Sequence, residues 1–335
     1  MLRRLAILGV VLLICLTGGL LSRGCLKPTA PKATWRTYRT FAFNTDCWVK
    51  IHCADAARAD RAAAECLALL AELHNDLNRF DEGSAVSQFN RAPADAPFPC
   101  CDNLWRAFMA AKQGHEETDG AFDVTIGPLM AYWRAIAKGE REPDEKIFSD
   151  ARARTGFDKL AFNMVEHTVT KTAEGLQADF GGLAKGLALD LVSNLLKTNK
   201  LDKFLLNFGG NICLNLPEGE AANVAVSDPR EEGRLLCDIQ ACNGRSVATS
   251  SDAHRALSPG KISHVIDPRT GEPADTLLSA TAVAADGASS DFLSTALFVG
   301  GEPLARQILQ RRPEYGFLLL DKAGNVLPLG NITID

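Results

Sequence analysis

A chain of 335 residues, 46% of them hydrophobic and 23% charged, has the make-up of a globular protein with a substantial core. That length suits one large domain or two small ones. The formal net charge of −5 at pH 7, with no basic stripe interleaved with aromatics, leaves no electrostatic case for nucleic acid as a partner.

The first segment stands apart from the fold. Arg3 and Arg4 precede an apolar run from Leu5 to Leu21, followed by Ser22-Arg23-Gly24-Cys25. A positive start and an apolar stretch read as an export signal, which is excluded from fold reasoning. Cys25 after a small residue resembles a bacterial lipoprotein acceptor, although Arg23 is unusual there. The run is also just long enough for an uncleaved signal anchor. Residues 1–25 are therefore read as signal or anchor, 26–36 as an extended linker, and 37–335 as the folded body. Either reading places the body at the bacterial inner membrane, facing the periplasm.

Of the ten cysteines, Cys15 and Cys25 fall in this segment. The others (Cys47, Cys53, Cys66, Cys100, Cys101, Cys213, Cys237 and Cys242) form no CxxC pair, which argues against zinc or iron–sulfur binding. Export permits disulfides, but spacing gives no pairing.

In the body, 41–51 reads as a first strand. A helix follows over about 58–80, with Cys66, Leu69, Leu70, Leu73, Leu77 and Phe80 on one face. Gly83-Ser84 breaks it, 93–99 is a loop, and a second helix covers about 103–117. Pro143 sits in the first turn of a helix reaching about residue 154. Short strand-like runs come later at 204–208, 222–226, 235–242 and 279–285. Ser289 caps a helix through Val299, Pro303 starts another through Leu309, and 315–320 with 325–328 close a hairpin around Ala323-Gly324. Helices and strands cluster without strict βαβ alternation, so the fold class is α+β.

The stretch richest in chemistry is Ala178-Asp179-Phe180-Gly181-Gly182-Leu183-Ala184-Lys185-Gly186, after which Leu187, Leu191 and Leu195 recur at helical spacing. Glycine lets backbone approach a ligand, a helix start offers free N–H donors, and lysine adds a point charge for phosphate oxygens. The pattern suits a diphosphate, or else a plain tight turn into an amphipathic helix. Neither GxxxxGK[ST] nor GxGxxG is present. Asp291 and Thr295 share a helix face, where a carboxylate and a hydroxyl can meet one hard cation such as Mg²⁺. The plainer alternative is an acid complementing the helix dipole, with Thr295 packed inward. His264 has the chemistry of a general base near neutral pH. It equally reads as a structural histidine, with Asp267 capping the Pro268–Gly271 turn.

These motifs, together with Gly120-Ala121-Phe122-Asp123-Val124-Thr125-Ile126-Gly127 and Asn207-Phe208-Gly209-Gly210-Asn211, occur in the order found in ApbE-type FAD:protein FMN transferases. The chain resembles that family from about Arg39 to its C-terminus. The resemblance implies one compact α+β domain around a twisted antiparallel sheet related to T-fold proteins. It implies an Mg²⁺-dependent enzyme that takes FAD as substrate, joins FMN to a protein threonine through a phosphoester, and releases AMP. The acceptors it implies are flavoprotein subunits of Rnf/Nqr-like membrane electron-transport complexes or related extracytoplasmic reductases.

Carried over residue by residue, the resemblance implies metal ligands at Asp291, Thr295 and the Ala184 carbonyl, with Asp286 behind them. It makes His264 the base, Asp267 its orienting partner or a structural acid, and Lys185 the group that neutralises the diphosphate or leaving AMP. FAD contacts are implied at Asn44, Phe80, Ala121, Phe122, Asp123, Asp179 and Lys185, and further at Asn207, Thr249 and Ile266. Two segments depart from the family pattern. Asn44-Thr45-Asp46 replaces Met-Gly-Thr, and Ser251 stands where the Thr249-Ser250 turn carries glycine, which predicts a strained left-handed backbone there. Two other functions fit the same residues: an FAD pyrophosphatase giving free FMN and AMP, and a lipoprotein that binds FAD without chemistry.

Overall fold

Alternating side chains at the start of the body build a hairpin, β1 (Thr34–Ala42) and β2 (Thr45–Cys53), in place of the single strand expected over 41–51. The computed structural model describes residues 32–220, 222–240, 243–252, 257 and 262–335. The signal or anchor segment and Cys25 lie outside these residues, and β1 begins at Thr34, within the stretch read as linker. Phe43 and Asn44 turn the hairpin with φ of 53° and 57°, the mirror-image geometry that matches strand twist. Asn44 tolerates it, and the Phe43 N–H donates to His74 Nδ1 at 3.2 Å.

Helix α1 (Ala56–Leu77) is capped by Asp55 and buries Cys66, Leu70, Leu73 and Leu77. It stops short of Phe80 because Asn78 leaves helical geometry. Ser84 then caps α2 (Ala85–Arg91), where the sequence showed only a break. A short strand β3 (Phe98–Pro99) leads into α3 (Asp102–Glu117), close to expectation. Helix α4 (Gly127–Ala137) was not anticipated, and α5 (Glu145–Ala153) is capped by Asp144, so Pro143 precedes it. Strands β4 (Leu160–Asn163) and β5 (Thr168–Lys171) join β3 in a small sheet. The glycine-lysine segment opens α6 (Ala184–Thr198).

Next come β6 (Phe204–Phe208), β7 (Asn211–Asn215), the hairpin β8 (Val224–Ser227) with β9 (Leu235–Ile239), and β10 (Ser246–Ser251). Strand β11 (Leu277–Ala284) precedes α7 (Gly287–Arg311), and β12 (Gly316–Asp321) with β13 (Val326–Gly330) form the expected closing hairpin. The cap of α7 is Asp286, which accepts from the Ser289 N–H, so Ser289 is donor and not cap. Gly301 (φ 60°) breaks α7 before Pro303, at the gap between the two helices read from sequence.

Eight strands form one sheet in the order β1-β2-β6-β7-β10-β11-β12-β13, every neighbouring pair antiparallel. One face carries the main core, where Leu70 of α1, Phe108 of α3, Val192 of α6 and Phe292 of α7 meet Phe204 and Phe208. The β8–β9 hairpin covers part of the other face through Val224, Val226 and Ile239 against Leu214, Val247 and Leu318. A third cluster joins α4 and α5 through Leu129, Tyr132 and Ala151, and it includes Ile266. Among the described residues, no helix is long and apolar enough to cross a membrane.

Candidate functional site

The first turns of α6 and α7 touch at two glycines. A Cβ on Gly186 would lie 2.2 Å from the Gly287 carbonyl oxygen, and one on Gly287 would lie 2.3 Å from the Gly186 oxygen. Only paired glycines permit that approach. It brings Asp291 across to α6, where its carboxylate accepts from the Gly186 N–H at 2.9 Å and meets Lys185 Nζ at 3.2 Å. Both side chains are buried, Asp291 being 3% and Lys185 7% exposed. A buried pair with these hydrogen bonds is costly to break from one side.

Thr295 lies one turn beyond Asp291, and its hydroxyl donates to the Asp291 carbonyl at 3.2 Å. Gly182 passes directly over it, since a Cβ there would sit 2.9 Å from Thr295 Oγ1. Ser250 of β10 completes the group, with Oγ 2.9 Å from Ser294 Oγ and 3.4 Å from Thr295 Oγ1. Asp291 and Thr295 thus stand one turn apart on α7, with Lys185 and its neighbour Ala184 facing Asp291 from the start of α6.

The chain continues from Ser250 through the last residue of β10, Ser251, to Asp252. Its Oδ1 is 2.8 Å from His264 Nδ1, and it also accepts from the Ser263 hydroxyl at 3.0 Å and the His264 N–H at 3.3 Å. Burial works against the Asp252 charge. The hydrogen bonds from His264 and Ser263 outweigh it and hold the carboxyl below the usual aspartate range. Of the two readings of Asp267, orienting partner or structural acid, the structure matches the second: Arg269 binds it through Nε and Nη2, both at 2.9 Å, and its carbonyl accepts from Gly271. Asp267 closes its own turn while Asp252 holds the imidazole, a pairing hidden from sequence because strand and loop supply one partner each.

The flavin-side residues divide into two groups. Phe80 is 62% exposed, and the guanidiniums of Arg79 and Arg134 sit over its ring at 5.3 and 4.9 Å. Arg79 also pairs with Asp179 at 2.6 Å, and Asp179 accepts from Gly181, which ties the ring to the glycine loop. Burial and the neighbouring Arg79 depress the Arg134 pKa. Asn44 and Asn207 lie at one sheet end, where Gly209 packs on Thr45 and Asn207 Oδ1 accepts from Gly210.

The second group turns inward. Ala121 and Phe122 are buried, with Phe122 against Phe292. Asp123 accepts from the Thr125 N–H, the Thr125 hydroxyl and the Phe157 N–H, and burial raises its pKa. Ile266 packs in the α4–α5 cluster. Thr249 bonds Thr281 on the opposite side of β10 from Ser250, away from the Ser294–Thr295 group. Ser251 sits in the strand opposite Ser279 and is absent from the left-handed residues, so the expected strain does not arise.

Cavities of about 340 and 470 Å³ lie apart from this group. One is lined by Asp190, Lys197 and Asp286 behind the start of α7, the other by Tyr132, Ile147 and Arg154. Among the described residues no three His, Cys, Asp or Glu side chains converge on a metal position. The oxygens at Asp291 are of another kind: one carboxylate paired with Lys185, and the Thr295 and Ser294 hydroxyls one turn along α7 with that of Ser250 beside them, hard donors of the sort a Mg²⁺ ion takes.

Fold and site together are those of a group-transfer enzyme. The ApbE family pattern matches residues 43–319, and the chain belongs to that family. It is 26% identical over 321 residues to an FAD:protein FMN transferase of Klebsiella pneumoniae, covering 92% of this chain and 89% of that one. It is 28% identical over 241 residues to the FAD:protein FMN transferase of Vibrio cholerae, covering 70% and 72%. The solved ApbE protein of Thermotoga maritima superposes with a TM-score of 0.78 at 27% identity, over 88% of this chain and 96% of that one. The flavin transferase ApbE of Vibrio cholerae gives a TM-score of 0.76 at 24% identity, covering 89% and 97%.

Proposed function

We propose that this chain is an Mg²⁺-dependent FAD:protein FMN transferase, held at the periplasmic side of the bacterial inner membrane by its N-terminal segment. It transfers FMN to a threonine of an exported or membrane redox protein, of which Rnf/Nqr-like flavoprotein subunits are the leading class. The observation that carries this reading is the buried Lys185–Asp291 pair beside Thr295, beneath the Gly181-Gly182 loop.

Asp291, Thr295 and the Ala184 carbonyl would hold the cation, and Mg²⁺ bound there supplies positive charge to diphosphate oxygens. Lys185 adds a second charge, suited to the phosphate of departing AMP. Exposed Phe80 and its two arginines offer a stacking surface for an aromatic ring. His264 takes the proton of the acceptor hydroxyl as its oxygen bonds to the FMN phosphorus. The bond from that phosphorus to the bridging oxygen breaks, and AMP leaves with that oxygen. Water in place of the hydroxyl gives FMN and AMP, the pyrophosphatase outcome.

The test incubates the protein with FAD and Mg²⁺, with and without an acceptor domain, and follows intact mass and nucleotides. One FMN gained per acceptor, AMP released and EDTA blocking both is the expected result. Equal FMN and AMP without acceptor would replace the transferase with a pyrophosphatase. Intact FAD in every tube would leave only flavin binding.

A further inference from the structure

Asp252 occupies a position that the proposed reaction can use. It stands at the end of β10, two residues past Ser250, whose hydroxyl touches Ser294 and Thr295 of α7. The strand is fixed by pairing with β11 up to Ser251↔Ser279, so the carboxylate follows directly on a paired strand. His264 lies twelve positions later, on a segment whose next anchors are in the α4–α5 layer. There Ile266 is buried, Trp133 Nε1 donates to the Gly271 carbonyl at 2.8 Å, and a Cβ on Gly271 would press on Phe148 at 2.9 Å. The imidazole is therefore tied to the sheet on one side and to a separate helical layer on the other.

We infer that Asp252 is the positioning residue for His264: it takes the Nδ1 proton in a hydrogen bond, fixes the ring, and leaves Nε2 free to accept from the acceptor hydroxyl. This rests on the transferase reading above. The geometry is specific. One carboxylate oxygen receives the imidazole, the His264 backbone and the Ser263 hydroxyl, so ring and main chain are set by one atom. The Ser263 hydroxyl also accepts from the Val265 N–H at 3.0 Å, locking the segment on both sides of the histidine. Among the described residues, Asp252 is the one charged group in contact with the imidazole, because Asp267 is held by Arg269. An acid that fixes tautomer and orientation raises the turnover of its histidine without touching substrate.

The test compares Asp252→Ala, Asp252→Asn and His264→Gln in the full chain. Steady-state transfer is measured alongside the Nδ1–H proton resonance of His264 in histidine-labelled protein, with thermal melts to verify folding. Asp252→Ala should lower kcat about ten- to hundredfold with KM for FAD nearly unchanged, and should erase the resonance. Asp252→Asn, whose amide oxygen still accepts from Nδ1, should restore the resonance and part of the rate. A resonance that survives Asp252→Ala, or a kcat within about twofold of wild type in a folded variant, would overturn the inference. Full transfer by His264→Gln would instead remove the proposed base itself, a separate failure.

Discussion

The two halves of the site are built differently. On the Lys185–Asp291 side, two helices meet at paired glycines, and the ion pair is 8% and 4% exposed in its side chains. On the His264–Asp252 side, a loop meets a strand end, and the pair is 24% and 32% exposed. Binding a multiply charged diphosphate calls for fixed charges in a water-poor setting, where they act most strongly. Handling the proton of a hydroxyl that arrives on another protein calls for an accessible base. On the proposed transferase reading, the buried pair would hold the diphosphate and the half-buried pair would handle the acceptor's proton.

The comparison breaks most visibly at Asp291. Replacing it with Asn keeps the shape but removes the charge facing Lys185, and AMP release should fall about a thousandfold. An unchanged initial rate would remove Asp291 from the mechanism. Gly186→Ala attacks the same half by sterics alone. Its Cβ must displace the Gly287 carbonyl, so stability should drop by about 3 kcal/mol, read as a lower melting temperature with lower activity. A melt equal to wild type would show that the helices separate freely.

The support behind α7 gives a pH signature of similar size. Asp190 accepts from the Gly287 and Ala288 N–H groups at 2.6 and 2.9 Å, yet burial holds its carboxyl up at about 6. Because this value lies above that of an unfolded aspartate, the folded state binds the proton more tightly. The contribution favours folding at low pH and is lost as pH rises from about 4 to 6, by about 3 kcal/mol in total. Asp190→Asn should flatten that part of the stability–pH curve, and an identical slope in the variant would refute the assignment.

Phe80→Ala should weaken FAD binding about tenfold through loss of a stacking surface, measured by titration of flavin fluorescence. Asp267→Ala should have the smallest effect, leaving turnover within about threefold, since it loosens a turn held by a partly exposed ion pair. A collapse of kcat in that variant would return the orienting role to Asp267.

The buried half was the more legible in sequence. Glycines before a lysine, then leucines at helical spacing, have one economical structural meaning, and an acid four residues from a threonine on a helix keeps its face whatever the tertiary context. The exposed half was half-read. His264 is visible, but its carboxylate neighbour is joined through space, and sequence leaves open whether the nearest acid, Asp267, orients it or closes a turn. A one-residue step along β10 flips the face, which separates Thr249 from Ser250. Strand β10 itself, Ser-Val-Ala-Thr-Ser-Ser, lacks the bulk that marks a strand, and α4 is apolar on too many sides to show a helical stripe. Phe122 reads equally as a flavin neighbour or a core residue, and it packs beside Phe292, since an aromatic in a motif carries no mark of which way it points.

The division of labour is tested most directly by calorimetric titration of FAD, with and without Mg²⁺, into Asp291→Asn and His264→Gln variants whose transfer rates are known. Holding by one half and proton handling by the other predicts that His264→Gln binds FAD with wild-type Mg²⁺ dependence while transferring nothing, and that Asp291→Asn loses the Mg²⁺-dependent part of binding. Undiminished Mg²⁺-dependent binding by Asp291→Asn, or its loss in His264→Gln, would contradict it.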